Sequence, residues 1–257
     1  MDIHGKVAVV TGGASGLGEG AVERIVKNGG KAAIFDLNAE KGEALAAKLG
    51  GNAVFAKVDV ADEASVQAGI AKALASFGAI HVCVNCAGIP GRIGRVVSKQ
   101  GPMPLADFEK VIRINLIGTF NVTRLAAAEM LKNQPDAQTG ERGVVINTAS
   151  LAAMEGQMGQ ISYAASKAGV IGMMLPLVRD LSQFGVRVLT IAPGLFETPM
   201  GAGAPQEIKD KLIATLEFPK RMGLPAEFAD LVAFLVTNSY MNGEVIRIDA
   251  GTRAPPR

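Results

Sequence analysis

The run Val7-Ala8-Val9-Val10-Thr11-Gly12-Gly13-Ala14-Ser15-Gly16-Leu17-Gly18 decides how this chain is read. Its first four residues are apolar without interruption, the pattern of a strand covered on both faces. Glycines then fall at 12, 16 and 18, followed by an amphipathic stretch with Ala21, Val22, Ile25 and Val26 on one side. Strand, glycine turn and helix in that order bind dinucleotides. Glycine lets the backbone approach a pyrophosphate, and the helix start offers free N–H groups and positive potential. A glycine triplet alone is a weak signal; the strand before it and the helix after it give it weight.

Working outward, Lys31–Asp36 reads as a second strand that ends in an acid eighteen residues after Gly18. A carboxylate there accepts hydrogen bonds from adenosine ribose hydroxyls and repels a 2′-phosphate. Position 37 is Leu, and the glycine turn brings no cation, so NAD is expected over NADP. Further strands are expected at 53–58, 80–84, 143–148, 186–191 and 244–248, with helices at 40–49, 65–77, 107–131, 160–182 and 225–236. Such alternation predicts one α/β domain over 1–257, a Rossmann-type doubly wound parallel sheet of about seven strands with helices on both faces.

Two stretches break the rhythm. Residues 91–104 carry Arg92, Arg95 and Lys99, with no acid between Gly88 and Leu105. Residues 195–224 read as a substrate lid, with a flexible Gly201-Ala202-Gly203-Ala204 and an apolar stripe of Ile208, Leu212, Ile213 and Leu216. That stripe reads as core more readily than as a substrate wall. The helix at 160–182 is apolar on all faces from Ala168 to Val178, which predicts burial on every side, half by the sheet and half by a second subunit. Pro176 is expected to kink its last turns.

Within that helix Tyr163 and Lys167 stand four apart, which stacks them on one face. A phenol titrates near ~10, and a nearby ammonium favours the phenolate, so the pair reads as a proton shuttle. Taken alone, Y-x-x-x-K also fits a tyrosine beside a solvated lysine. Ser150 closes the fifth strand thirteen residues earlier, at the end of the sheet where ligands bind.

The formal charge of +2 gives no strong attraction to nucleic acid or a membrane. No signal peptide is read at the start, and the longest wholly apolar run, 168–178, is too short to span a bilayer. Cys83 and Cys86 form a C-x-x-C beside only two histidines, His4 and His81, which makes packing the better reading than a metal site. A reducing, cytoplasmic setting is expected.

The chain resembles the short-chain dehydrogenase/reductase family from about 6 to 251. The matching residues are Thr11-Gly12-x-x-x-Gly16-x-Gly18, Asp59, Asn85-x-Ala87-Gly88, Asn115, Ser150, Tyr163-x-x-x-Lys167, Pro193-Gly194 and Thr198. More narrowly, 85–89, 115–122, 155–160, 191–196, 242–248 and the insertion at 91–104 are similar to the subgroup acting on 3-hydroxyacyl-CoA. The resemblance implies that Tyr163 exchanges a proton with the substrate oxygen and that Ser150 hydrogen-bonds it. Lys167 would hold the nicotinamide ribose, and Asn115 a water linking Lys167 to solvent. Gly12, Ser15, Gly16, Leu17 and Gly18 would cradle pyrophosphate, Asp36 the adenosine ribose, and Asp59 and Val60 the adenine. Cys86, Ala87, Gly88, Pro193, Gly194, Phe196 and Thr198 would complete the NAD site, with Gln157 beside the substrate. It also implies a homotetramer. His81 replaces the acid that usually opens the fourth strand, so local changes near adenine are expected.

The expected function is NAD-dependent interconversion of a secondary alcohol and a ketone, with short-chain 3-hydroxyacyl-CoA as the leading substrate. A steroid or another small secondary alcohol is the alternative of the same class. A dinucleotide sensor or scaffold without turnover is the alternative of another class, and the presence of Ser150, Tyr163 and Lys167 together argues against it.

Overall fold

Alternation along the strands decides what packs where. The structure is a computed structural model, and residues 1–202 and 206–254 of the 257 are described. The chain begins β1 (Val7–Thr11), α1 (Gly16–Lys27), β2 (Lys31–Asp36), α2 (Ala39–Leu49), β3 (Ala53–Lys57), α3 (Glu63–Phe77) and β4 (Val82–Asn85). It continues with β5 (Val97–Ser98), β6 (Gly101–Pro102), α4 (Leu105–Ile112), α5 (Gly118–Met130), β7 (Gly143–Thr148) and α6 (Ile161–Leu181). The last elements are β8 (Val186–Pro193), α7 (Pro199–Ala202), α8 (Gln206–Ala214), α9 (Pro225–Thr237) and β9 (Val245–Ile248).

Seven parallel strands form the main sheet in the order β3-β2-β1-β4-β7-β8-β9. Ala8, Val10, Ile34, Val144 and Ile146 pack with Val22 and Ile25 of α1 and Phe228 and Val232 of α9. Val9, Ala33, Phe35, Cys83 and Val145 pack on the other face with Val66 and Ile70 of α3, Val122 and Ala126 of α5 and Met174 of α6. Period-two alternation thus builds two cores from strands buried on both sides. Strand order reverses between β1 and β4, so the ligand crevice of such a sheet lies at their carboxyl ends.

The structure departs from the sequence reading in several places. The long helix expected at 107–131 is α4 and α5 joined by a π-helical turn, Arg113–Ile117, with Asn115 at its centre. The insertion at 91–104 contains a two-stranded antiparallel hairpin, β5 on β6. Arg92, ahead of the hairpin, pairs with Asp107 of α4 at 3.4 Å. Helix α6 keeps Pro176 inside it, four residues past Gly172, and ends at Leu181. By length and composition it could cross a membrane, yet here it lies on the sheet with Val170 and Met174 buried. Its outer side stays open, with Leu175 48% exposed, so the burial expected all round is not met within one chain. In the segment 195–224, expected as a lid, Leu216 is core and Ile208 is exposed, so the stripe divides. Gly203 and Ala204 of its glycine-alanine stretch lie outside the described residues.

Arg187 carries no sequence signal. It stands buried near the start of β8, ion-paired with Glu141. It also donates to the carbonyls of Leu235, Val236 and Met241 at 2.9, 2.8 and 2.9 Å. Those acceptors lie at and just beyond the C-terminal end of α9, where carbonyls lack helical partners.

Candidate active site

The glycine turn is shaped by two contacts that no side chain tolerates. Gly12 has φ +60°, and a Cβ there would stand 2.9 Å from the Ala87 nitrogen at the end of β4. A Cβ on Gly18 would fall 2.1 Å from the Gly12 carbonyl oxygen, so α1 can begin only this close to the turn with glycine there. Ser15 is the N-cap residue of α1 but makes no side-chain cap bond, and Leu17 packs against the core beneath. Gly16 lies under Thr198, whose Cβ would be 3.3 Å from a Cβ on the glycine.

Asp36 ends β2 beside this turn. Its carboxylate accepts from the Ala14 N–H at 3.1 Å and the Asn38 N–H at 2.9 Å. Strand register sets Lys57 opposite Asp36, a neighbouring cation the linear sequence concealed. Asp59 is exposed and accepts from the Ala61 N–H at 2.9 Å, while Val60 is buried with its carbonyl held by Asn121. On β4's far end the N–H groups of Cys86 and Ala87 both donate to Thr11 Oγ1 at 3.1 Å. Gly194 follows Pro193 at the end of β8 and donates to the Ile248 carbonyl. Phe196 packs edge-on against Phe228, with ring centroids 6.4 Å apart.

Ser150, Tyr163, Lys167 and Asn115 meet at the same end of the sheet. Ser150 leaves β7 and opens a short 3-10 turn, its hydroxyl accepting from the Ala152 N–H at 3.2 Å. Tyr163 lies in the first turn of α6, its phenol facing the Ser150 hydroxyl. Lys167 is buried one turn on, its Nζ donating to the Thr148 carbonyl at 2.7 Å and lying 5.8 Å from the Tyr163 ring centroid. Asn115 is fully buried. Its side chain clasps the Ile89 backbone in both directions at 2.9 Å and donates to Ser166 Oγ at 3.1 Å. These protein partners take three of the amide's four hydrogen-bonding positions. Asn115 is thus a clasp on the strap after Gly88, with one position left for the water expected there. A π-turn presenting a polar side chain to a site is a recurrent use of that geometry. Gly88 leaves the needed room, since a Cβ there would stand 3.2 Å from Asn115 Oδ1 and 3.6 Å from Lys167 Nζ. Gln157 is on the loop between Ser150 and α6, half-buried.

Electrostatics correct one expectation. Burial raises the Tyr163 phenol above its ordinary pKa, and the Ser150 hydroxyl opposes this in part. Lys167 does not bring the phenol down, because its ammonium is turned to the Thr148 carbonyl and is itself disfavoured by burial, to about 8. Burial likewise pushes the Cys86 thiol up to about 11, so Cys86 is a packing thiol against Thr148. His81 is corrected too. Its Nδ1 accepts from the Val7 N–H at 3.2 Å, at the amino ends of β1 and β4 and opposite the crevice, so it has no part near adenine.

Two contributors escaped the sequence reading. Thr148 acts through a backbone carbonyl, which any residue type carries and none marks. Ser166 joins Asn115 to the Tyr163 carbonyl, and helical spacing alone marks it.

A seven-stranded parallel sheet with a glycine turn at its reversal, and Ser150, Tyr163 and Lys167 gathered beyond it, defines a class. The family model for short chain dehydrogenases matches residues 6–209, and the chain belongs to that family. It is an oxidoreductase of secondary alcohols and ketones that uses a nicotinamide dinucleotide. Within the family it is similar to human 3-hydroxyacyl-CoA dehydrogenase type-2, 51% identical over 255 residues, covering 99% of this chain and 97% of that one. The crystal structure of 3-hydroxyacyl-CoA dehydrogenase type-2 from Mycobacterium avium superposes with a TM-score of 0.94 at 46% identity, covering 98% of each chain. A 3-ketoacyl-(acyl-carrier-protein) reductase from Brucella melitensis, complexed with NADH, gives 0.87 at 28% identity, covering 98% of this chain and 100% of that one.

Proposed function

We propose that the chain is an NAD-dependent dehydrogenase interconverting short-chain 3-hydroxyacyl-CoA and 3-oxoacyl-CoA. The observation that carries the reading is Ser150 and Tyr163 facing each other beside buried Lys167, in a chain half-identical over its whole length to dehydrogenases of that name. The cofactor cradle fits a dinucleotide, since glycines 12 and 18 bring the turn's backbone closer to β4 and α1 than a side chain would allow, and Asp36 stands beside it. Gly12, Ser15, Gly16, Leu17 and Gly18 hold its pyrophosphate, Asp36 the adenosine ribose, Asp59 and Val60 the adenine. Cys86, Ala87, Gly88, Pro193, Gly194, Phe196 and Thr198 line the remainder with Lys167. When bound, the dinucleotide supplies or accepts the hydride.

The chain's own residues handle the proton. With its pKa raised, Tyr163 carries its proton at neutral pH and is ready to donate it to a ketone oxygen. Ser150 hydrogen-bonds the same oxygen, its hydroxyl oriented by the Ala152 N–H. Gln157 borders the substrate. Asn115 fixes the Gly88–Ile89 strap that confines Lys167. The free thiols Cys83 and Cys86 support a reducing, cytoplasmic setting. The open outer side of α6 supports a homotetramer.

Reduction of acetoacetyl-CoA tests the reading. NADH should exceed NADPH by at least about tenfold in kcat/KM, roughly the repulsion between Asp36 and a 2′-phosphate, and Asp36→Ala should narrow the gap. Absence of turnover with acetoacetyl-CoA, alongside turnover of an uncharged ketone, would remove the acyl-CoA assignment.

A further inference from the structure

One residue outside the glycine class holds a left-handed backbone among the described residues: Ala250, at φ +52°. Such a conformation is disfavoured for alanine and persists where its surroundings over-determine it. Here they do. The Ala250 carbonyl accepts from the N–H groups of Glu217 and Phe218, at 3.0 and 3.2 Å, at the far end of the lid segment. Just before it, Asp249 packs behind the Pro193–Gly194 turn, where a Cβ on Gly194 would stand 2.7 Å from the Asp249 Cβ.

An ion cluster connects this turn to the loop between Ser150 and Tyr163. Arg247, in β9, donates to Asp249 Oδ2 through Nε at 2.6 Å and to the Thr252 carbonyl through Nη2 at 2.8 Å. Its Nη1 donates to Glu155 Oε1 at 2.6 Å. The other Glu155 oxygen accepts from the Ala254 N–H at 2.7 Å, and Arg253 Nε stands 3.7 Å from Oε1. Glu155 and Arg247 have side chains only 20% and 24% exposed, so the pair is sheltered from solvent screening. These donors hold the Glu155 carboxyl below its ordinary pKa, so it stays charged at neutral pH. The loop beyond Glu155 contains Gly156 and Gly159, the latter at φ +87°, and so has little stiffness of its own.

We propose that Glu155 is a positioning residue: its clamp to Arg247 fixes the 154–160 loop, and with it Gln157, to the same strained turn that holds the end of the lid. The substrate wall and the lid then share one anchor, while the glycine turn and Asp36 are held elsewhere. The proposal rests on the dehydrogenase reading of the site for its kinetic consequence, not for its structural one.

The test uses the full-length Glu155→Gln and Arg247→Lys variants. Amide hydrogen exchange without ligand should quicken about tenfold at 154–160 and at 216–218 and stay unchanged in β1. The KM for acetoacetyl-CoA should rise about fivefold, with NADH affinity within about twofold of the parent. Unchanged exchange in both segments would overturn the clamp, and so would equal quickening in β1, which marks general loosening. A KM and an NADH affinity that move together would overturn the positioning role. If the parent chain turns over no ketone, the dehydrogenase reading fails alone, and the exchange measurement still decides the clamp.

Discussion

Lys167 donates to the Thr148 carbonyl with its ammonium almost cut off from water, and burial brings its pKa from 10.5 to about 8. Between those two values the unfolded chain holds a proton that the folded chain has released. Stability therefore rises with pH across that window, and the penalty at neutral pH disappears above it. The gap corresponds to on the order of 3 kcal/mol. Compared with Lys167→Met by urea unfolding without dinucleotide, the parent should gain that much between pH 7.5 and about 10.5; a difference flat in pH would refute the burial assignment. Tyr163 titrates in the opposite sense, since its raised pKa favours the folded state only while the phenol is protonated. The same shift sets direction. Ketone reduction should persist at low pH, and alcohol oxidation should climb through one ionisation above neutrality. Tyr163→Phe keeps the ring but removes the exchangeable proton, so kcat should fall at least about 10²-fold while NADH still binds. Near-normal turnover in that variant would mean another group moves the proton.

At the scale of elements, the insertion is where the acyl-CoA reading can be tested. Its hairpin strands are two residues each, and it exposes Ile93 and Val97 together with its cations. Arg92 is engaged by Asp107 at 3.4 Å, an exposed and weak pair that a phosphate would outcompete. Replacing Arg92, Arg95 and Lys99 by Ser should raise the KM for acetoacetyl-CoA about tenfold, the equivalent of roughly one charge-assisted hydrogen bond. An uncharged ketone should be nearly unaffected. Equal effects on both substrates would make the hairpin a packing element.

For the whole molecule, the outer side of α6 is the decisive surface. Ala168, Gly172, Leu175 and Pro176 are exposed along one helix that buries Val170 and Met174 on its other side. A two-fold contact through that face would cover it from both copies. Light scattering should give about four times the 26.6 kDa of the chain. A Cβ at Gly172 would meet nothing within 4 Å, so Gly172→Glu leaves a lone chain unstrained. It should nevertheless break the assembly by burying a charge in the contact. A parent protein that scatters as a monomer would refute the interface.

The apolar runs of β1, β2, β7 and β8, separated by helical periods, were enough to specify a parallel doubly wound sheet. Each element's burial is written locally in its alternation. The glycine turn, Asp36, Ser150, Tyr163 and Lys167 were legible for a related reason, since their spacing from a strand end places them in the crevice. What the linear chain could not carry was the balance of environments. Tyr163 and Lys167 are four apart in any helix, but their protonation depends on how deeply the fold buries them, and burial raises the phenol where spacing alone predicts a lowering. Asn115 became a clasp because a π-turn met the Ile89 strap, and Lys57 came beside Asp36 through strand register. Arg247 and Glu155 are ninety-two residues apart and carry no mutual signal. Contacts between remote segments are made only when the chain is packed, and it is packing that sets their charge, partners and strain.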